Sequence, residues 1–439
     1  MPRLLLHQLV LLGTTDIMHT PPVIEPMRLQ HLALPRLVAL PNGVPLYRLD
    51  GGNSGVVRFD ILIGGGYSVQ QKPLQAMFVN RMLREGAGHY SAADISRQLD
   101  HYGAWVDMYS SQNCNHLTLC AMSKHFVPLL EVLAAMVKEP TFPQENLSTV
   151  RSNNKSYFTV NSRKVDVVSQ RHFEHSLWGD AHPLGHVVVA SDYDAITRED
   201  LLSYYGKVYG SSNCTLFISG TVDEAMLNAV SLHFGAQAWG SATSPATVAV
   251  EPPVPVFGRR KVLIEETMQS AVKIGFMAMD TSHPDYHKFR FLCVLLGGYF
   301  GSRLMSNIRE ENGYTYHISS EMDAYGHRNA FMISSEAANE YVAPLIEEVY
   351  RELERLCNEP IPMSEVELVR NYIMGELCRE YEGMSAKSEV FINAWLSGVG
   401  FEDVNAYLDT VLSVTPDELQ HLARRYFVKE NMIEIIAGA

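Results

Sequence analysis

Two stretches of this chain repeat one another at a fixed distance. ITREDLLSYYGKVYGSSNCTLFISG (196–220) runs in register with VTPDELQHLARRYFVKENMIEIIAG (414–438) at an offset of 218 residues. Thr197 meets Thr415, Leu201 meets Leu419, Asn213 meets Asn431 and Gly220 meets Gly438. Upstream, EPTFPQENLSTVRSNN (139–154) echoes EPIPMSEVELVRNY (359–372). Each copy reads as a helix followed by a strand. A solenoid, whose units recur every ~20–50 residues, is excluded by so long a period. Two copies of one α/β domain are expected, and 439 residues suit two cores of about 200 residues better than one.

Hydrophobic residues make up 46% of the chain and charged residues 19%, which describes a folded globular protein rather than a disordered one. The net charge of −14, with no run of Lys and Arg, argues against a nucleic-acid partner. Six cysteines (Cys114, Cys120, Cys214, Cys293, Cys357 and Cys378) form no C-x-x-C pair, as expected of reduced thiols in a cytosolic protein. The first residues, MPRLLLHQLVLLGTTDIMHT, imitate a signal peptide. Their apolar run is broken by His7 and Gln8, and no small-residue cleavage site follows. Met18 and Met27 are alternative starts. A cytoplasmic location is therefore expected, with the periplasm as the alternative if this leader is a true signal. No stretch approaches the ~20 apolar residues of a membrane span.

Periodicity places strands over PRLVALPNGVPLYRLD, turning at Asn42-Gly43, and over VVRFDILI, which ends at Gly64-Gly65-Gly66. Helices are expected over 73–85, 92–102, 126–138, 143–178 and 197–208, and strands near 104–109, 115–121 and NCTLFIS. Residues 236–257, rich in Ala, Ser, Thr and Pro, read as a linker. The second copy, from about Gly258, offers the strand AVKIGFMAM, a helix over 283–297, the strand FMISS, a long helix over 340–357, further helices to 426 and the strand MIEII. Strands in groups separated by helices indicate an α+β fold with mainly antiparallel sheets. The expected organisation is an extension (1–29), a first domain (30–235), the linker (236–257) and a second domain (258–439).

The Gly-Gly-Gly after the second strand and the segment GGYFGSRLMSNIREENGYTYHI in the second copy resemble the pitrilysin/insulinase family of zinc metallopeptidases. The chain is similar to the family's short two-domain members, which include processing-peptidase-like subunits, from about residue 36 to 438. The resemblance implies two homologous domains forming half of a clamshell. An active member carries His-x-x-Glu-His on the first helix of its N-terminal domain. Two imidazoles at i and i+4 clamp Zn²⁺ from one helix face, and the Glu takes a proton from the metal-bound water. Aligned through MLREG (82–86), this chain has Met77, Asn80 and Arg81 at the positions of the first His, the Glu and the second His.

Each change disables the chemistry. A thioether is a poor ligand for zinc among N and O donors. An amide is no base at neutral pH. A guanidinium offers only donors and repels a cation. The family's further carboxylate ligand would fall near Tyr157 and Phe158, and no Asp or Glu occurs between Glu145 and Asp166. No metal is therefore expected in this chain. His172, Glu174 and His175, with His182 and His186 beyond, imitate the motif one residue short. Glu174 at i+2 points off the shared face, and Pro183 and Gly185 break the helix, so a structural role is expected for them.

In the family's paired members, by the same resemblance, one subunit carries zinc while the other supplies an Arg and a Tyr seven residues apart. Arg309 and Tyr316 hold that spacing here. A guanidinium fork and a phenol can hold a peptide carbonyl and stabilise its developing oxyanion. Tyr314 is expected on the same sheet face as Tyr316 by strand alternation. Arg303 is expected to pack or cap a helix, and Gly297, Gly298 and Gly301 to allow close backbone approach. The chain thus reads as a non-catalytic subunit that pairs with a zinc-bearing homologue, with zinc in the partner and a peptide as substrate. The alternatives are a purely structural or binding subunit and, less favoured, an autonomous metallopeptidase using the histidines of 172–186.

Overall fold

The computed structural model describes residues 28–51, 55–179, 182–241 and 254–439. Most of the expected N-terminal extension and the middle of the expected linker, 242–253, lie outside the described residues. Two sheets organise the molecule. In spatial order the first runs Arg36–Ala39, Pro45–Asp50, Cys214–Gly220, Val56–Gly64, Cys114–Met122 and Trp105–Ser110. The second runs Thr315–Tyr325, Arg328–Ala338, Gln269–Met277, Ile433–Gly438 and Gly258–Leu263. Neighbouring strands are antiparallel except for one parallel pair in each sheet, Pro45–Asp50 with Cys214–Gly220 and Gly258–Leu263 with Ile433–Gly438. This is the mainly antiparallel α+β architecture expected from the sequence.

The repeat is physical as well as textual. Thr197 and Thr415 each cap a helix (Arg198–Val208 and Pro416–Tyr426) through a reciprocal box with Asp200 and Glu418, satisfying otherwise orphaned N–H groups. The same two carboxylates receive Lys72 at 2.8 Å and Lys288 at 2.7 Å. Arg151 donates to the carbonyls of Asp194 and Ile196, and Arg370 to those of Val411 and Val414. Gly220 and Gly438, at φ 111° and 157°, end the equivalent strands. A Cβ there would lie 2.2 Å from the Val56 carbonyl oxygen and 2.0 Å from Ser270 Oγ, so no larger residue fits either place.

The copies are also interlocked. The sequence suggests one helix over 143–178, but two are present, Gln144–Asn161 and Val165–Trp178, separated at Ser162–Lys164. The second belongs to the first copy yet packs on the second sheet. Phe173, Leu177 and Trp178 join Tyr325, Met332, Ile433 and Ile435 in one buried cluster. Conversely, Met384–Leu396 lies against the first sheet, where Phe401, packed on Phe391, meets Tyr47 and Phe217. On its other face the first sheet is filled by Phe59, Phe126 and Phe234, and the second by Phe289, Phe331 and Phe427. Strand Gly258–Leu263, unrecognised in the sequence, adds an edge to the second sheet. Among the described residues no helix is long and apolar enough to cross a membrane.

Candidate functional site

The helix Gln75–Met82 carries the three positions aligned with the zinc motif and lies beside the edge strand Trp105–Ser110. Asn80 is 1% exposed. Its Nδ2 donates to the carbonyls of Tyr109 (2.8 Å) and His116 (3.2 Å), which leaves Oδ1 buried without a partner. The amide is thus consumed as a strand-to-helix tie. Met77 packs against the first core, and Arg81 is exposed. The helix Gln144–Asn161 does approach, but presents a buried Phe158 rather than a carboxylate. Phe158 lies 5.1 Å from the Tyr193 ring, and the Arg171 guanidinium sits 4.6 Å from its centroid. Burial pushes the Tyr193 phenol up, while Arg171 and Arg81 pull it back. Two cations, Arg171 and Arg81, therefore act beside the Phe158–Tyr193 pair. The donor set of Met77, Asn80 and Arg81 does not fit zinc.

Three of the histidines of 172–186 are spent on structure, while His172 Nδ1 is buried without a hydrogen-bond partner among the described residues. His175 Nδ1 meets the Gly185 carbonyl at 2.7 Å. His182 Nδ1 accepts from the Leu184 N–H and its ring stacks on Trp178. His186 Nε2 pairs with Asp192 at 2.9 Å. Glu174 accepts from Gln170 Nε2 at 3.0 Å and the Tyr325 hydroxyl at 3.4 Å, inside the helix-to-sheet interface. Among the described residues no three His, Cys, Asp or Glu side chains are grouped to hold a metal ion.

In the second copy a π-helical turn, Met305–Glu311, ends at a positive-φ glycine, Gly313, and leads into the edge strand Thr315–Tyr325. Two backbone bonds, Gly313 N–H to the Arg309 carbonyl and Tyr314 N–H to the Ile308 carbonyl, fix helix end to strand start. Arg309 lies 4.4 Å from the centroid of the exposed Phe300 ring. Tyr316 is 89% exposed. Neither side chain has a hydrogen-bond or ion-pair partner among the described residues. Tyr314 does not share Tyr316's setting as strand alternation suggested. It precedes the strand and stacks on Tyr341 at 5.5 Å, and a bulge between Thr315 and Ile318 interrupts the alternation. Arg303 grips Glu365 through two 2.7 Å bonds. Gly297 lets the helix press on strand Thr315–Tyr325, since a Cβ there would lie 2.6 Å from the Ser320 nitrogen.

A groove of about 520 Å³ runs between this edge strand and the helical segment 286–298. Arg290, Met322 and Tyr407 also wall a second cavity of about 680 Å³ between the two sheets, with Tyr109 and His116 opposite. His116 is held near pKa 4 by burial and the nearby Arg58, so it is neutral at pH 7. The sequence reading missed both Phe300 and the groove. Only a run of aromatics around an arginine, YHKFRF, hints at the groove.

Residues 58–182 match the family model described as "Insulinase (Peptidase family M16)" and residues 195–373 that described as "Peptidase M16 inactive domain". The chain is 21% identical over 403 residues to the uncharacterized zinc protease YmxG of Bacillus subtilis, covering 90% of this chain and 96% of that protein. It is 22% identical over 362 residues to the human mitochondrial-processing peptidase subunit beta, covering 79% and 73% respectively. The crystal structure of a peptidase M16 inactive domain from Pseudomonas fluorescens superimposes with a TM-score of 0.81 at 20% identity, covering 92% of this chain and 98% of that one. The repeated sheets, the helix that carries the zinc-motif positions and these matches lead to one conclusion: this chain belongs to the M16, or insulinase, family of peptidases.

Proposed function

We propose that this chain is a non-catalytic subunit of a heterodimeric zinc peptidase, holding the peptide while a zinc-bearing homologue cuts it. One observation carries the reading. The zinc-motif positions hold residues chemically unfit for zinc, with the Asn80 amide nitrogen tied to two carbonyls, whereas a half-buried Arg309 and an exposed Tyr316 keep their donors free. A buried amide tied to two carbonyls cannot be recruited to catalysis. A half-buried guanidinium steadied on Phe300 and free of any acceptor can point two N–H groups at a peptide carbonyl, and a phenol seven residues on can supply a third donor. The edge strand behind them can pair with an extended substrate whatever its side chains. A similar human protein is named as a subunit of a processing peptidase, which fits a chain that works in company.

The test is co-expression with a zinc-bearing M16 homologue from the same source and an assay of peptide hydrolysis. Arg309→Ala is expected to lower kcat/KM of the complex about 100-fold and Tyr316→Phe about 10-fold, the scale of lost oxyanion donors. Unchanged kcat/KM in both variants refutes the assigned roles. A stable complex that hydrolyses nothing favours a structural subunit instead.

A further inference from the structure

The groove beside strand Thr315–Tyr325 ends on an arginine with no anion to serve. Arg290 is half-buried, its guanidinium 3.9 Å from the Tyr407 ring centroid and 5.8 Å from that of Tyr286. No acceptor hydrogen-bonds it among the described residues. Three other half-buried arginines are satisfied, Arg58 by Asp60 and Glu389, Arg303 by Glu365 and Arg370 by two backbone carbonyls. Arg171 and Arg309 have only an aromatic ring beside them and, unlike Arg290, do not stand where the groove meets the cavity between the sheets. Glu380 and Asp403 lie near Arg290 without bonding it, and Asp403 is engaged by His287 Nε2 at 2.9 Å. Leaving such a charge partly desolvated and unpaired is costly, so the site is built for a ligand that brings the missing acceptor.

The groove specifies what kind of ligand. One wall is a sheet edge whose outward N–H and C=O groups have no strand to pair with, the requirement for adding an extended chain. The wall extends from His317 to Met322, and Arg290 stands at the Met322 end, where the groove meets the cavity between the sheets. The Tyr407 ring fixes the plane of the guanidinium, and a planar fork of N–H donors matches a carboxylate. From this juxtaposition we infer that the groove binds the carboxyl-terminal segment of a peptide, laid parallel to strand Thr315–Tyr325 with its terminal carboxylate on Arg290. The inference rests on the reading of this chain as a peptide-holding subunit and adds to it a preference for a free C-terminus. Arg290 is a specificity residue, separate from the carbonyl-holding pair Arg309 and Tyr316.

The test uses the purified full chain and a randomised hexapeptide pool carrying fluorescein at its N-terminus, prepared once as the free acid and once as the C-terminal amide. Fluorescence anisotropy is expected to show the amide binding wild type roughly 10- to 100-fold more weakly, the range for losing hydrogen bonds to a charged group. Arg290→Gln is expected to bind both pools alike, at the level of the amide on wild type, and Arg290→Lys to keep part of the preference. Because the acid and amide pools are first compared on wild type, the outcome does not depend on either variant folding. Equal affinity of wild type for the two pools overturns the role of Arg290 but leaves the peptide-holding reading intact. Binding of neither pool overturns both.

Discussion

The helix Gln75–Met82 with strand Trp105–Ser110, and the segment 286–298 with strand Thr315–Tyr325, are the same construction in two copies. In each, a helix lies against the outermost strand of its sheet. Their polar groups have opposite fates. In the first copy the decisive side chain, Asn80, is turned inward and bound to two carbonyls, and aromatic packing around Phe158 and Tyr193 closes the place of the third ligand. In the second copy Arg290, Arg309 and Tyr316 keep unused donors facing a groove or solvent. A position unfit for a ligand need not be empty, because the fold can use it for packing and backbone ties. A binding surface, by contrast, must keep its donors unsatisfied.

The largest test of this contrast is to restore the motif. Asn80→Glu would set a carboxylate against the carbonyl oxygens of Tyr109 and His116 and is expected to cost about 3 kcal/mol or more in urea unfolding. The triple change Met77→His, Asn80→Glu, Arg81→His is expected to leave zinc substoichiometric after dialysis, by elemental analysis, because Phe158 supplies no third ligand. Stoichiometric zinc would break the comparison.

A smaller effect lies in the pH dependence. His116 has a folded pKa of about 4, below its ordinary value, so the unfolded chain binds the proton more readily. Its contribution is present above about pH 6.5 and is lost as pH falls toward 4. In the second copy burial and Glu321 raise Asp323 to about 6. There the folded chain holds the proton more tightly, and stability falls as pH rises from about 4 to 6. The two slopes oppose. Asp323→Asn is expected to steepen the rise of Tm between pH 4 and 6, and His116→Gln to flatten it, each by the equivalent of about 1 kcal/mol. Unchanged profiles would mean that neither group titrates as its burial suggests.

The smallest expected change sharpens the contrast from the other side. Arg309→Ala and Tyr316→Phe should each shift the stability of the isolated chain by no more than ~0.5 kcal/mol, because neither side chain supports the fold. A larger loss would place them in the architecture instead of on a working surface.

Local chemistry made much of this fold legible. The helices Ala92–Tyr102 and Phe126–Lys138 fall where periodicity put them; the first begins at a Ser91–Asp94 capping box and ends at Gly103. The break at Ser162–Lys164 was hidden because no Gly or Pro marks it. Strand Gly258–Leu263 escaped notice because, as a charged edge strand, it shows no alternation; its ladder to Ile433–Gly438 comes from a distant part of the chain. The poor fit of the zinc-motif positions was readable from residue types alone, since a thioether, an amide and a guanidinium are poor donors for zinc. The groove at Arg290 was not, because whether an arginine has a partner is a property of the folded molecule. The bulge that separates Tyr314 from Tyr316 likewise leaves no trace in the residue types.

The traded helices, Val165–Trp178 over one sheet and Met384–Leu396 over the other, mean that neither half is a whole object. Cutting the polypeptide between them would strip Met332 and Ile435 of one roof and Phe217 of the other, so each fragment would seek its former companion or clump. Duplication here produced a two-piece lock rather than a pair of beads. The two halves are therefore expected to move as one body instead of hinging apart at the linker.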